Sequence, residues 1–176
     1  VVHQQVAQLL GRAVVALEAS LPRLHRRLQR PQIRHRCTHL LFLGVGLVAL
    51  HGLLDVGSGG GVPGLTLAIV RPDLEVTLSD TTGKKARVLE DMVKQLKLPV
   101  PVFNARTETL LDDARYDALT VRAVGPLWQL LTWFRPHWAS ITRLLIIKGP
   151  KWKEEQAEAS RRGLLRDLEL KVAAEY

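Results

Sequence analysis

From Leu53 onward, short apolar runs alternate with amphipathic stretches, the texture of a parallel sheet whose strands are joined by crossover helices. The runs are Leu53–Val56, Val76–Leu78, Val100–Phe103, Ala118–Val121 and Leu144–Ile147. Helical spacing is predicted over 62–70, 83–97, 126–139 and 151–167, with a short polar segment after Phe103. Turn chemistry agrees: Pro63 suits a first helical turn and Pro72 stops that helix. Pro126 opens the helix carrying Leu127, Leu130, Leu131 and Phe134. Residues 1–52 read differently, as a basic helical segment. There Val6, Leu9, Leu10, Ala13 and Leu17 fall at helical spacing, and 33–50 is a further, increasingly apolar helix that Gly44 and Gly46 weaken. The expected organisation is therefore an N-terminal segment, 1–52, and one α/β domain, 53–176.

Composition bounds the function. At 176 residues, 47% apolar and 24% charged, the chain can bury a core and is not of the disordered class. Its single cysteine, Cys37, excludes an internal disulfide framework and a Cys-based zinc cluster, and fits a reducing compartment. The longest apolar stretch, Leu40 to Leu50, is shorter than the roughly 20 residues a bilayer span needs. No secretory signal opens the sequence. A cytoplasmic monomer with no membrane or metal partner is the expectation.

The net charge of +8 is unevenly spread. Residues 1–54 hold seven Arg and one acid, Glu18, for a net +6; residues 55–176 hold 18 Lys or Arg against 16 acids, for a net +2. A block of Arg23, Arg26, Arg27, Arg30, Arg34 and Arg36 attracts polyanions, so nucleic acid is the leading partner. The competing reading is a solvated helix face.

The most informative stretch is LLDVGSGGGVPG, Leu53 to Gly64. A buried strand ends in Asp55, passes into glycines at 57, 59, 60 and 61, and enters a helix. Glycines at a strand's C-terminal edge permit positive φ and close approach of a ligand. Gly59, Gly61 and Gly64 also satisfy the spacing of a dinucleotide-binding loop. However, Asp55 lies before the first glycine, where a carboxylate repels a pyrophosphate and suits the ammonium and sulfonium of S-adenosylmethionine. Asp80 closes the second strand, EVTLSD, placed to accept from ribose hydroxyls; both cofactors share that feature.

LLDVGSGGGVPGLTLAIVRPDLEVTLSDTTGKKARVLE, followed by NARTETL, YDALTVRAV and LLIIKGPKWKEE, resembles the bacterial small-subunit ribosomal RNA guanine-N7 methyltransferase G family, also called glucose-inhibited division protein B. The resemblance covers about Leu53 to Tyr176. It implies a class I S-adenosylmethionine-dependent methyltransferase fold, a Rossmann-like sheet with flanking helices. The implied substrate is a guanine in small-subunit (16S) rRNA, methylated at N7. Carried over position by position, Gly57, Gly59 and Val62 are cofactor contacts and Asp80 holds the ribose. Thr107 and Glu108 flank the adenine, and Arg122 lies near the methionine end. Glu108 has a plainer reading as a helix-start charge, and Val62 as a core residue. Arg122 directly follows a buried strand, where an arginine is costly unless it serves a ligand.

Guanine N7 carries a free lone pair at neutral pH, so methylation needs no general base, and no catalytic acid or base is named. Positioning and electrostatics would supply the acceleration. A basic rim of Lys84, Lys85, Arg87, Lys151, Lys153, Arg161 and Arg162 is then expected to grip phosphates, with Lys148 as a further candidate. The family's N-terminal motifs are missing from 1–52, and its final antiparallel strand is missing after Leu168–Tyr176, which predicts an exposed sheet edge. Two alternatives follow. One is a degenerate RNA-binding or ribosome-assembly protein that keeps the cofactor fold. The other is a nicotinamide-dependent oxidoreductase, for which no substrate-domain residues are found.

Overall fold

The computed structural model describes residues 13–19 and 51–175. The arginine block, Cys37, Leu40 to Leu50 and the rest of the expected helical segment lie outside the described residues. The strands are β1 (Ala13–Ala19), β2 (Gly52–Val56), β3 (Glu75–Ser79), β4 (Val102–Phe103), β5 (Tyr116–Arg122), β6 (Ile141–Lys148) and β7 (Leu168–Glu175). The helices are α1 (Gly64–Val70), α2 (Gly83–Gln95), α3 (Thr107–Asp113), α4 (Leu127–Phe134) and α5 (Trp152–Arg161), with a 3-10 turn over Arg135–Ser140.

The strands form one seven-stranded sheet in the order β4-β3-β2-β5-β6-β1-β7. β4 through β6 are mutually parallel, and β1 runs antiparallel to both of its neighbours. This is the expected Rossmann-like α/β sheet with flanking helices. The strand order reverses at β2, whose neighbours are β3 and β5, so a crevice opens at the C-terminal edge between β2 and β5.

Two apolar layers clothe the sheet. One packs Leu111 of α3, Leu127, Leu130, Leu131 and Phe134 of α4 and Ala159 of α5 against Leu54, Leu119, Leu144 and Ile146. The other packs Leu65 and Ala68 of α1 and Leu89 and Val93 of α2 against Leu53, Val76, Leu78 and Ala118. Both faces of β2 and β5 are thus buried, which is why these strands read as unbroken apolar runs.

Four expectations are corrected. Ala13 and Leu17 lie on a strand, not a helix: β1 fills the slot between β6 and β7, with Leu17 opposite Leu144 and Leu170. β7 then forms the edge of the sheet on that side. The short polar segment after Phe103 contains α3. The helix expected over 126–139 becomes 3-10 at Arg135 because Pro136 has no N–H to continue the ladder. The helix expected over 151–167 stops at Arg161, where Gly163 takes φ +68° and Leu164 N donates back to Ala159 O, a glycine-closed C-terminus.

Candidate functional site

The glycine turn is built from its backbone outward. Gly57, Gly59 and Gly61 have φ of +63°, +54° and +88°, conformations that a side chain makes costly. Ser58 locks the turn to β3 and β2: its N–H donates to Ser79 O at 2.9 Å and its Oγ to Asp55 O at 3.0 Å. Ser79 Oγ also donates to Asp55 O at 3.1 Å and lies 3.4 Å from Thr107 Oγ1. Asp80 Oδ2 accepts from Gly59 N at 2.9 Å, and its Oδ1 from Thr82 N at 2.8 Å. Asn104 Nδ2 donates to Asp80 O at 2.9 Å. One network therefore joins the ends of β2, β3 and β4 with the start of α3.

Of the residues singled out in the sequence, Gly59 and Asp80 are in direct contact, and Thr107 reaches Ser79 beside them. Glu108 stands half-buried in the first turn of α3. Val62 is half-buried in the turn before α1. Gly57 lies under Val124: a Cβ at Gly57 would stand 2.7 Å from Val124 Cγ2. Arg122 closes β5 on the neighbouring strand, half-buried, and its charge acts on Asp55. The seven thus gather on one sheet edge, with Val62 and Glu108 at its margins.

Asp55 departs from the sequence reading. It has zero exposure and turns inward, with Thr120 Oγ1 donating to Oδ1 at 2.6 Å and Gly64 N to Oδ2 at 3.1 Å. Burial pushes its carboxyl up to about 6, against the lowering effect of the Thr120, Ser58 and Gly64 bonds and of the Arg122 charge. Both its oxygens are thus engaged inside the protein, where they hold the glycine turn and the start of α1.

The start of α1 discriminates between cofactors in its own way. Gly64 N is taken by Asp55, Leu65 N and Thr66 N by Gly61 O, and Leu67 N by Pro63 O. Pro63 has no N–H. The orphan donors that hold a pyrophosphate in a dinucleotide site are thus already satisfied. S-adenosylmethionine asks for acceptors instead. Among the described residues each Asp80 oxygen accepts one bond, so acceptor capacity is left for hydroxyls. A Cβ at Gly60 would meet nothing within 4 Å, so the tip of the turn is open. These groups fit that cofactor better than a dinucleotide.

The expected rim divides. Lys84, Lys85 and Arg87 are exposed near the start of α2, and Lys151 and Lys153 near the start of α5, at the site's edge. Arg161 and Arg162 lie at the other end of α5, about 15 Å along it at 1.5 Å per residue. Both pair with Glu158, and Arg162 stacks over the Trp128 ring at 4.0 Å. Lys148 is 9% exposed and turned inward, donating to Gly125 O and pairing with Glu155 at 2.7 Å. It is no open phosphate ligand. Val124 and Glu155 end the stretches YDALTVRAV and LLIIKGPKWKEE, but neither was singled out in the sequence, because their partners are brought to them by the tertiary fold. Among the described residues, no group of His, Cys, Asp or Glu is arranged to hold a metal ion, and no helix is long and apolar enough to cross a membrane.

The chain is similar to proteins of known name. It is 52% identical over 124 residues to a ribosomal RNA small subunit methyltransferase G of Rhodopirellula baltica, covering 70% of this chain and 54% of that protein. It is 47% identical over 107 residues to the protein of that name from Halorhodospira halophila, covering 60% and 51%. The chain spans about half the length of these curated relatives. The model of one family, rRNA small subunit methyltransferase G, matches residues 43–174, from before the glycine strand through nearly all of β7, and the chain belongs to that family.

Proposed function

We propose that the chain transfers a methyl group from S-adenosylmethionine to N7 of a guanine in small-subunit ribosomal RNA, acting in the cytoplasm. The observation that carries the reading is the Gly59–Asp80 bond at the strand-order reversal. There a positive-φ glycine turn and a carboxylate with spare acceptor capacity meet at one sheet edge. Family membership and the names of the relatives support the RNA substrate.

Bound at this edge, S-adenosylmethionine supplies an electrophilic methyl on a positively charged sulfur. Asp80 accepts from the ribose hydroxyls while Gly59 and Thr82 hold its carboxylate in place. Gly57 and Val62 line the turn, and Thr107 and Glu108 flank the adenine from the start of α3. Asp55, beneath the turn, favours a cationic ligand by its field. Arg122 orients the reacting end. Guanine N7 needs no proton removed, so these residues bind and align, and alignment alone accounts for large accelerations.

The test has two stages. Calorimetry should detect binding of S-adenosylhomocysteine and none of NAD. The chain, given a radiolabelled methyl donor and small-subunit rRNA, should then form N7-methylguanosine, and Arg122→Ala should abolish it while leaving the fold intact. Cofactor binding with no methylguanosine on naked rRNA or on small-subunit particles overturns the proposed activity.

A further inference from the structure

A lysine closing a parallel strand at the sheet's C-terminal edge ordinarily projects into water. Lys148, closing β6, does not: it is 9% exposed. Its ammonium donates to Gly125 O and to Glu155 Oε2, the latter at 2.7 Å. The same Glu155 oxygen accepts from Leu127 N, also at 2.7 Å. Leu127 opens α4, and Pro126, its N-cap, makes no side-chain cap bond. Glu155 therefore caps α4 from the neighbouring helix. The segment Gly125–Leu127 is held from two directions, its carbonyl by an ammonium and its N–H by a carboxylate.

What this clamp restrains is the loop after β5. Ala123 has φ +55°, a conformation an alanine keeps only where its surroundings enforce it. On one side of Ala123 stands Arg122; on the other, Val124 rests on Gly57 of the glycine turn. The loop therefore links the clamp to both strands of the crevice.

We propose that Lys148 and Glu155 are positioning residues. Together they hold the Arg122–Leu127 loop in its left-handed turn, so that Arg122 and Val124 are set against the glycine turn. Neither touches cofactor or base. The proposal rests on the methyl-transfer reading above, and its test separates the two.

The variants are Glu155→Gln and Lys148→Met, with Lys148→Arg as the conservative control that keeps the charge and can span both acceptors. Hydrogen exchange of the peptide covering 123–130, measured without cofactor, reads the clamp directly. Both disruptive variants should speed exchange there and leave β3 protected, whereas Lys148→Arg should exchange near wild type. In steady-state methylation of small-subunit rRNA, they should lower kcat by about 30-fold while KM for RNA stays within about threefold, since displacement of an aligning group costs rate before binding. Lys148→Arg should recover most of kcat. Unchanged exchange over 123–130 overturns the clamp. Faster exchange with unchanged kcat, or equal losses in kcat for Lys148→Arg and Lys148→Met, overturns the positioning role. A wild-type chain that exchanges as expected but forms no methylguanosine overturns the methyl-transfer reading, and the positioning role falls with it. A disruptive variant that does not fold is replaced by Glu155→Asp, which keeps the charge but shortens its reach and should give the same signature more weakly; wild-type exchange and kcat for it overturn the clamp.

Discussion

Asp55 is the residue at which the energetics of the site are most exposed to test. A carboxyl with no solvent contact keeps its proton more readily than one in the unfolded chain, and here burial raises it from 3.8 to about 6. Below pH 4 both states are protonated. Between about 4 and 6 the unfolded chain releases the proton and the folded chain retains it. Folding stability from this group is therefore full at low pH and lost as pH rises through the folded value, on the order of 3 kcal/mol in all. Asp55→Asn abolishes the titration while its amide can still accept from Gly64 N and donate to Thr120 Oγ1. Denaturant melts of the two proteins should diverge between pH 4 and 6.5, the variant becoming relatively more stable; parallel curves would show an ordinary carboxyl. The same substitution should weaken S-adenosylmethionine more than S-adenosylhomocysteine, because only the former carries charge on sulfur. The D-x-G pattern marked this residue from the sequence alone. Its inward direction was illegible, because it is set by Thr120, a residue 65 positions away on β5.

At the scale of elements, the helix α1 sits on β2 as closely as backbone allows. A Cβ at Gly64 would stand 2.5 Å from both Asp55 Cβ and Leu78 Cδ2. Gly64→Ala should therefore push the start of α1 away from the sheet and cost about 1–3 kcal/mol, read as a lowered denaturation midpoint. Strands and helices of this central unit were legible because their apolar runs and helical faces are long enough to show a period. Two elements were not. α3 spans seven residues, TETLLDD, with only Leu110 and Leu111 apolar, too short for periodicity to speak. β1 reads AVVALEA, an apolar stretch compatible with either period, and only its ladders to β6 and β7 decide it. Because β1 is a member of the sheet and Leu17 has zero exposure in the larger core, truncating Leu17 must cost as much as truncating a central leucine. Leu17→Ala should destabilise by about 2–5 kcal/mol. A loss of a few tenths would mean that the strand contributes little to the fold.

Across the whole molecule, the convergence of the candidate residues on one edge was legible because topology simplifies the problem: in a parallel sheet every strand ends at the same edge. Gly57 after β2, Asp80 after β3, Thr107 after β4 and Arg122 at the end of β5 must then converge, whatever their distances in sequence. Charge is harder to read, since sequence counts cations without saying which edge each occupies. Helices that return between parallel strands start at the ligand edge and end at the opposite one. Lys84, Lys85 and Lys151 accordingly flank the crevice, whereas Arg161 is carried away from it and engaged by Glu158. Salt dependence separates the two groups. An RNA phosphate neutralised at the crevice releases counterions, and for single strands each contact contributes about 0.7 to the slope of log affinity against log salt. With a guanine-containing single-stranded RNA and anisotropy as readout, Lys84→Ala combined with Lys85→Ala should reduce that slope by about 1.4 if both lysines meet phosphate. Arg161→Ala should leave it unchanged. The reverse pattern would put the RNA on the opposite edge of the sheet, away from the glycine turn and beyond reach of any methyl group held there.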